Sequence, residues 1–210
     1  MSDIQTERKT AKRRRDPVTL ALLGLALVGA VAVVYVIGAS VSKPKGDVAL
    51  KGLAHGEMAR LVIAPGAGGA PPPEASFLDA QGKSVKLADL KSGVMIVNLW
   101  ATWCAPCRSE MPTLARLQAT YPGRVEVIPI AMDQAQDREK ARAFIGQYSP
   151  LPFYQDPTLA MTFALSPPAE GLPTTVIYDQ AGHERARYTG GADWDGPDAR
   201  AVIDALLRAH

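Results

Sequence analysis

The two cysteines of this 210-residue chain lie in one short segment, residues 100–107, whose sequence is WATWCAPC. An apolar run at residues 94–99 precedes it and predicts a buried strand, and the spacing of apolar residues after Cys107 predicts a helix. A Cys-x-x-Cys segment between a strand and a helix brings both sulfurs to one side of a single helical turn, within reach of a disulfide. The segment therefore predicts a strand–helix unit that opens and closes a disulfide.

The two cysteines are predicted to have different roles. Cys104 lies at the predicted helix start, where free N–H groups and the helix macrodipole stabilise a thiolate and lower its pKa below the roughly 8.5 of a free thiol. We therefore expect Cys104 to be the attacking sulfur and Cys107, inside the first turn, to be the resolving thiol. Pro106 suits this turn because the N–H that it lacks would be unpaired there.

Two other interpretations of the cysteine pair are weaker. A structural zinc site needs about four ligands, but the chain has no second Cys-x-x-Cys, and its three histidines are scattered along the sequence. A permanent structural disulfide across so short a loop would constrain the unfolded chain very little. Redox chemistry is the interpretation that the spacing favours, and it requires no cofactor beyond the Cys104–Cys107 disulfide.

The amino-terminal part of the chain predicts a membrane anchor. Residues 18–38 include a long apolar run without a charge, which has the length of a bilayer-spanning helix. Six basic residues in the tail, residues 1–17, predict that the tail stays in the cytoplasm and that the rest crosses the inner membrane. A cleaved signal peptide is the alternative, since residues 38–40 are small, but signal sequences have shorter apolar regions and shorter basic leaders.

Charge and cysteine content define the setting of the remaining chain. The formal net charge of the whole chain is +2 and the tail carries +3, so the remainder is close to neutral. A nearly neutral domain lacks the basic surface that nucleic-acid phosphates require, so nucleic acid is not an expected partner. A single Cys-x-x-Cys and no other cysteine avoids wrong pairings in an oxidising compartment such as the periplasm.

We expect a spacer at residues 39–73 and a folded domain at residues 74–210. The spacer contains a short helical candidate at 52–61 and a Gly/Pro-rich stretch at 65–73, and the sequence leaves open whether residues 48–63 pack on the domain or on the membrane surface. The domain alternates strand and helix patterns, which predicts an α/β fold with a sheet that is parallel in one part and antiparallel in another. The predicted elements are a hairpin at 77–87, strands at 94–99 and 125–131, helices at 106–121, 138–148 and 156–163, a hairpin at 174–188, and a helix at 197–208 capped by Asp195.

Three motifs together resemble the thioredoxin superfamily, and more closely its membrane-anchored TlpA/ResA-like thiol:disulfide interchange proteins. They are NLWATWCAPCRSEMP at residues 98–112, GLPTT at 171–175 and GGADW at 190–194. The resemblance covers residues 74–208 and implies a thioredoxin-like three-layer α/β/α domain with a mixed central sheet. It also makes residues 132–172, which exceed a minimal thioredoxin connection, a candidate for partner specificity.

The resemblance implies roles for residues outside the cysteine pair. The Leu172–Pro173 bond is expected to be cis and to face the cysteines, exposing the backbone of Leu172 to an extended substrate, whereas an ordinary trans proline is the alternative. Trp103 is expected on the partner-docking surface, although it could only fill space, and Trp100 is expected in the core.

Two polar positions near the cysteines concern proton transfer. Glu110, one turn beyond Cys107, is a candidate proton carrier if burial raises its pKa, and a solvated helix charge is the alternative. Thioredoxins usually have a buried Asp at the position of Asn98. An amide cannot titrate, so Asn98 can hydrogen-bond but proton transfer must involve water, Glu110 or another group.

The expected function is a membrane-anchored periplasmic thiol:disulfide oxidoreductase that mainly reduces cysteine pairs of exported proteins. The resemblance implies respiratory copper-site assembly factors or apocytochromes c as substrates, and a CcdA/DsbD-type membrane transporter as the source of electrons. A disulfide oxidase or isomerase is the first alternative, because small changes in thiolate stabilisation reverse the preferred direction. A copper-binding assembly protein is the second, but those relatives use Cys-x-x-x-Cys with a distant His.

Overall fold

The computed structural model describes residue 22 and residues 50–64, 69–90 and 93–209. The predicted tail (1–17), the predicted anchor (18–38) except residue 22, and residues 39–49 of the predicted spacer lie outside this part of the chain. Among the described residues, no helix has both the length and the apolar content needed to cross a bilayer.

One mixed sheet forms the centre of the fold, and in the described residues it has eight strands in the order β1-β8-β7-β4-β5-β6-β2-β3. Strands β4, β5 and β6 are parallel, and the other neighbours in the sheet are antiparallel. The strands are β1 (Val62–Ile63), β2 (Ser76–Leu78), β3 (Ser84–Lys86), β4 (Val94–Trp100), β5 (Val125–Ala131), β6 (Tyr154–Gln155), β7 (Thr174–Tyr178) and β8 (Glu184–Thr189).

Helices cover both faces of this sheet. The α-helices that surround the site are α1 (Ala105–Thr120), α2 (Arg138–Ile145), α3 (Ala160–Ala164) and α4 (Pro197–Arg208). Residues 50–53 are also helical, and 3-10 turns occupy Gly56–Arg60, Leu87–Leu90 and Ala135–Asp137. Every residue of β4 is buried, which explains the uninterrupted apolar run of this strand. Its alternate side chains enter two apolar clusters: one contains α1, α2 and α4 residues, and the other contains α3 and Leu87. The predicted thioredoxin-like α/β fold with a mixed sheet is thus confirmed.

The domain begins earlier than predicted, because part of the expected spacer is built into it. Leu50, Met58 and Leu61 are buried in the cluster that contains α1 and α4. Strand β1 pairs with β8 and covers what would be an exposed edge of the sheet. Residues 50–63 therefore pack on the domain, and the boundary predicted at residue 74 is too late.

Three local predictions differ from the structure for identifiable reasons. Helix α2 ends at Ile145, three residues early, because Gly146 follows it and glycine is a poor helix former. Helix α3 begins at Ala160 because residues 156–159 form a turn held by the Asp156 carboxylate, which accepts the N–H groups of Thr158 and Met161. Gly196 is the residue that precedes α4. Asp195 does not cap that helix, because its carboxylate binds the guanidinium groups of Arg116 and Arg200.

Candidate active site

The cysteine pair lies where β4 ends and α1 begins, as predicted, and it forms a disulfide. A turn closed by the Cys104 N–H on the Ala101 carbonyl, at 3.1 Å, leads from the strand into the helix. Cys104 is the residue that caps α1, and its Sγ accepts the Cys107 N–H at 3.3 Å. The first sulfur thus sits among the unpaired N–H groups of the helix start, which is the arrangement that favours a thiolate. Cys107 is fully buried and Cys104 nearly so.

The proline loop lies at the same end of the sheet. The Leu172–Pro173 bond is cis, as the resemblance implied. Strand β7 starts directly after it, and Thr174 pairs with Leu99 of β4, so Pro173 lies beside the end of β4 from which the active-site turn departs. The Pro173 carbonyl accepts the N–H of Gly190 at 2.8 Å, and Gly190 has a φ of 107° that glycine adopts without strain. This contact fixes the proline loop against the end of β8.

Glu110 is buried, so the alternative of a solvated helix charge is wrong. Its side chain points from α1 into a pocket of hydrogen-bond donors. Oε1 accepts from Asn98 Nδ2 at 2.8 Å, while Oε2 accepts from the Ala192 N–H at 3.1 Å and from Trp194 Nε1 at 3.0 Å. Burial raises the pKa of the Glu110 carboxyl from 4.5 to about 7, and these hydrogen bonds oppose part of that rise. A carboxyl with this pKa exchanges protons readily at neutral pH.

Asn98 links Glu110 to the strand that follows the proline loop. Its Nδ2 also donates to Thr175 Oγ1 at 2.9 Å, whereas its Oδ1 is buried without a partner. A 180° rotation of the amide would present Oδ1 to Glu110, so the same side chain can donate to a carboxylate or accept from a carboxylic acid. Asn98 does not titrate, but its amide can rotate when Glu110 gains or loses a proton.

An open groove runs beside Glu110. It has a volume of about 560 Å³ and is lined by Glu57, Pro106, Ser109, Glu110, Thr113 and residues 191–193. Gly191 closes one side, and a Cβ at this glycine would lie 3.3 Å from the Pro106 side chain and carbonyl. The groove thus brings solvent to the flank of α1 on which Glu110 lies. Among the described residues, no cluster of three or more His, Cys, Asp or Glu could hold a metal ion.

The two tryptophans of the motif differ in exposure. Trp100 is fully buried and packs its ring 5.4 Å from that of Phe144. Trp103 is 69% exposed, immediately before Cys104, so its ring is available to a partner that approaches this sulfur.

The comparison with known families decides the identity of this domain. The Redoxin family profile matches residues 67–205, which is more than half of the chain. The chain belongs to the Redoxin family. The TlpA/ResA-like resemblance within the thioredoxin superfamily is confirmed by relatives of the same kind.

Curated relatives of this Redoxin chain match about half of its length. Thioredoxin-like protein YneN of Bacillus subtilis is 32% identical over 120 residues, which cover 52% of this chain and 64% of YneN. Thiol-disulfide oxidoreductase ResA of Bacillus anthracis is 32% identical over 108 residues, which cover 50% of this chain and 59% of ResA. The matched region thus spans less than two thirds of either relative.

Solved structures share the fold over a larger part of the chain. A thiol:disulfide interchange protein of the thioredoxin family from Chlorobium tepidum is 29% identical, with a TM-score of 0.52, and the match covers 67% of this chain and 98% of that one. A secreted thiol-disulfide isomerase from Corynebacterium glutamicum is 25% identical, with a TM-score of 0.59, and the match covers 71% of this chain and 91% of that one.

Sequence reasoning missed two polar residues of this Redoxin site. Trp194 lies in a motif used only for the resemblance, and its indole N–H binds Glu110 from a loop more than 80 positions away. Asp133 is 1% exposed, and both of its carboxylate oxygens contact Thr102 in the active-site turn. Its position after β5 was a usable signal, since the carboxyl ends of parallel neighbours such as β4 and β5 meet at one sheet edge.

Proposed function

We propose that this protein is a thiol:disulfide oxidoreductase that mainly reduces cysteine pairs of exported proteins. The observation that carries the proposal is the position of Cys104. Its sulfur caps α1, accepts a main-chain N–H, and lies next to the exposed Trp103. The names of the relatives and neighbouring structures support the same class of reaction.

The first step is attack by the Cys104 thiolate on a substrate disulfide. One Cys104–substrate S–S bond forms while the substrate S–S bond breaks, and the second substrate sulfur leaves as a thiolate and takes up a proton. The main chain of Leu172, which is only partly buried and precedes the buried Pro173, receives the substrate backbone in extended form beside the sulfur, and Trp103 provides apolar contact.

The second step is attack by Cys107 on the sulfur of Cys104. The mixed disulfide breaks, the Cys104–Cys107 bond forms, and the substrate leaves with both cysteines reduced, so two electrons pass from the enzyme to the substrate. Cys107 is buried and must lose its proton before it attacks. Glu110, with a pKa of about 7 and a groove open to water, is the group that receives this proton.

The proposed setting is the outer face of the inner membrane. The basic tail at 1–17 and the apolar run at 18–38 support a single-pass anchor in the lipid bilayer with a cytoplasmic amino terminus and a periplasmic domain. The proposed substrates are respiratory copper-site assembly factors or apocytochromes c, and a CcdA/DsbD-type membrane protein re-reduces the cysteines. No cofactor other than the disulfide takes part.

Trapping in the native host tests this function. The full chain with Cys107→Ala completes only the first step, so we expect it to accumulate mixed disulfides with exported proteins, which mass spectrometry identifies. The matched variant Cys104→Ala should trap none. Equal trapping by the two variants would refute the assignment of the nucleophile.

A second measurement separates reduction from oxidation or isomerisation. Equilibration of the full chain with glutathione gives the reduction potential of the Cys104–Cys107 pair. We expect a value near that of thioredoxin, about −270 mV, whereas a value near −120 mV would indicate an oxidase.

Protease treatment of spheroplasts tests the proposed topology. Protection of the tail together with digestion of the domain would support it, and the reverse pattern would contradict it.

A further inference from the structure

The turn before Cys104 is fixed by a buried carboxylate from a neighbouring strand. Asp133 accepts the Thr102 N–H at 3.0 and 3.2 Å through its two oxygens and the Thr102 hydroxyl at 2.5 Å. The hydroxyl contact has the length of a charge-assisted O–H···O⁻ bond. Thr102 is one of the two central residues of the turn that the Cys104 N–H closes on Ala101.

Asp133 is itself held in place by other residues of the segment 132–172, the candidate segment for partner specificity. Gln155 Nε2, on β6, donates to the carbonyl of Asp133 at 3.1 Å and to that of Gln134 at 3.0 Å. Arg138 Nη1 on α2 donates to Gln155 Oε1 at 3.0 Å. Asp133 and Gln155 are each 1% exposed. The carboxylate is therefore a fixed point against which the turn is aligned.

This contact determines which way the turn presents its other residues. Because Thr102 is held inward, at 5% exposure, the next side chain, Trp103, is directed outward at 69% exposure. The chain then enters α1 with Cys104 in an extended conformation, with φ −88° and ψ 105°, as its capping residue. Release of Thr102 would loosen both the exposed ring and the sulfur that accepts the Cys107 N–H.

We propose that Asp133 is a positioning residue for Cys104 and Trp103, acting through its contacts with Thr102. The inference rests on the proposed function only in taking Cys104 as the reactive sulfur. The hydrogen bonds of the Asp133 carboxylate go to Thr102 and not to a sulfur, so Asp133 acts through the turn and is not a catalytic residue. Its effect should appear in the reactivity of Cys104, which a purely structural role would leave unchanged.

The chain offers a matched control for this contact. Asp156 is also 1% exposed, and its carboxylate accepts the Thr158 N–H at 3.1 Å and the Thr158 hydroxyl at 2.6 Å. The donor and acceptor groups are those of the Asp133–Thr102 pair, but Thr158 is exposed where Thr102 is buried, and this pair serves the turn before α3. Thr102→Val and Thr158→Val therefore delete the same type of hydrogen bond at two different turns.

The test measures the rate at which iodoacetamide alkylates Cys104 at pH 7 in the reduced full chain carrying Cys107→Ala. We expect Thr102→Val to slow alkylation about fivefold, the effect of losing roughly one hydrogen bond. Thr102→Ser keeps the hydroxyl and should restore the rate, while Thr158→Val should leave it unchanged. An unchanged rate in Thr102→Val, or an equal loss in Thr158→Val, overturns the proposal.

A double-mutant cycle separates the positioning effect of Asp133, exerted through Thr102, from the direct effect of its charge on the thiolate. In an Asp133→Ala background, the charge is absent with either residue at position 102, so the charge cancels from the comparison. We expect Thr102→Val to have no further effect there, whereas an undiminished fivefold effect would show that the hydroxyl acts without Asp133. Alkylation requires no substrate protein, so this result is independent of whether the trapping experiment succeeds.

Discussion

Two buried carboxylates flank the cysteine pair on opposite sides of β4, and their partners differ. On the β7 side, Glu110 is surrounded by two side-chain donors and one main-chain N–H. On the β5 side, the Asp133 carboxylate binds the main-chain N–H and the hydroxyl of Thr102. Glu110 also lines a groove that reaches solvent.

The difference shows how one type of side chain serves two tasks. The Asn98 amide beside Glu110 can rotate to present its oxygen in place of its nitrogen. Glu110 can therefore gain or lose a proton without two hydrogen-bond donors facing each other. Asp133 binds an N–H that can only donate, which suits a permanent acceptor and a fixed turn. We interpret the Glu110 side as the proton-handling side of the site and the Asp133 side as its aligning side.

Removal of either sulfur is the largest change to the site. We expect Cys104→Ala to abolish the reduction of insulin by dithiothreitol-recharged enzyme, because the remaining thiol, Cys107, is fully buried and does not reach a substrate disulfide. Cys107→Ala should also stop turnover but should still release one equivalent of substrate thiolate when it forms the mixed disulfide. Turbidity measures insulin reduction, and a thiol assay measures the released substrate thiolate. Turnover by Cys104→Ala would contradict the roles proposed for both Glu110 and Asp133.

Replacement of Glu110 by Gln should act on the second step. A Gln side chain cannot take a proton from Cys107, so we expect the release of substrate from the mixed disulfide to slow by about 10²-fold. The pH dependence near 7 should disappear from that step while alkylation of Cys104 changes little. Stopped-flow kinetics between pH 5 and 9 measure both, and an unchanged pH profile would remove Glu110 from proton transfer.

The same variant should change how stability depends on pH. The pKa of Glu110 is raised in the folded state, from 4.5 to about 7, so the protonated carboxyl favours folding and its ionisation opposes it. The free energy of unfolding should therefore fall by about 3 kcal/mol as pH rises from about 4.5 to 7, and then level off. We expect thermal unfolding of the oxidised full chain to show this decline and Glu110→Gln to lack it.

A smaller effect is expected from the indole that binds Glu110. Trp194→Phe removes one hydrogen bond to the carboxylate, which should raise the Glu110 pKa further and move the kinetic pH midpoint upward by roughly half a unit to one unit. Trp100→Phe is the matched control, because the buried indole N–H of Trp100 has no hydrogen-bond partner. Equal shifts in the two variants would mean that packing, and not the Glu110 contact, sets the midpoint.

The smallest effect is expected from Trp103, the exposed residue of the turn before Cys104. Trp103→Ala should raise KM for a protein substrate severalfold and leave kcat and the reduction of a small aromatic disulfide nearly unchanged, because we propose that the exposed ring serves to bind a protein partner. Thermal unfolding should also be unaffected, since the side chain is mostly exposed. A loss of kcat with both substrates would place Trp103 in the chemistry instead.

Local sequence patterns predicted the elements that hold the cysteines. The fully buried β4 and the β-branched β5 match their apolar runs, and α4 begins and ends as its spacing indicated. The structure has β6 as a strand of only two residues, Tyr154–Gln155, whose pairing joins distant segments, so no local pattern reveals it. Helix α1 continues past Pro112, which lies inside it.

The polar surroundings of the cysteines were less predictable for a related reason. The titration of Glu110 depends on Ala192 and Trp194, which reach it from a distant loop, so the sequence alone left burial and solvation equally open. Asp195 illustrates the same limit, since two arginines compete successfully for the carboxylate that the local pattern assigned to a cap. Tertiary partners override a local preference of about 1 kcal/mol.

The acidity of Cys104 is the most direct test of the central claim that the start of α1 activates this sulfur. The rate of iodoacetamide alkylation of the Cys107→Ala full chain, followed from pH 4 to 10, gives the thiol pKa. We predict a value at least one unit below the roughly 8.5 of a free cysteine. A pKa of 8.5 or higher would contradict the proposed exchange mechanism.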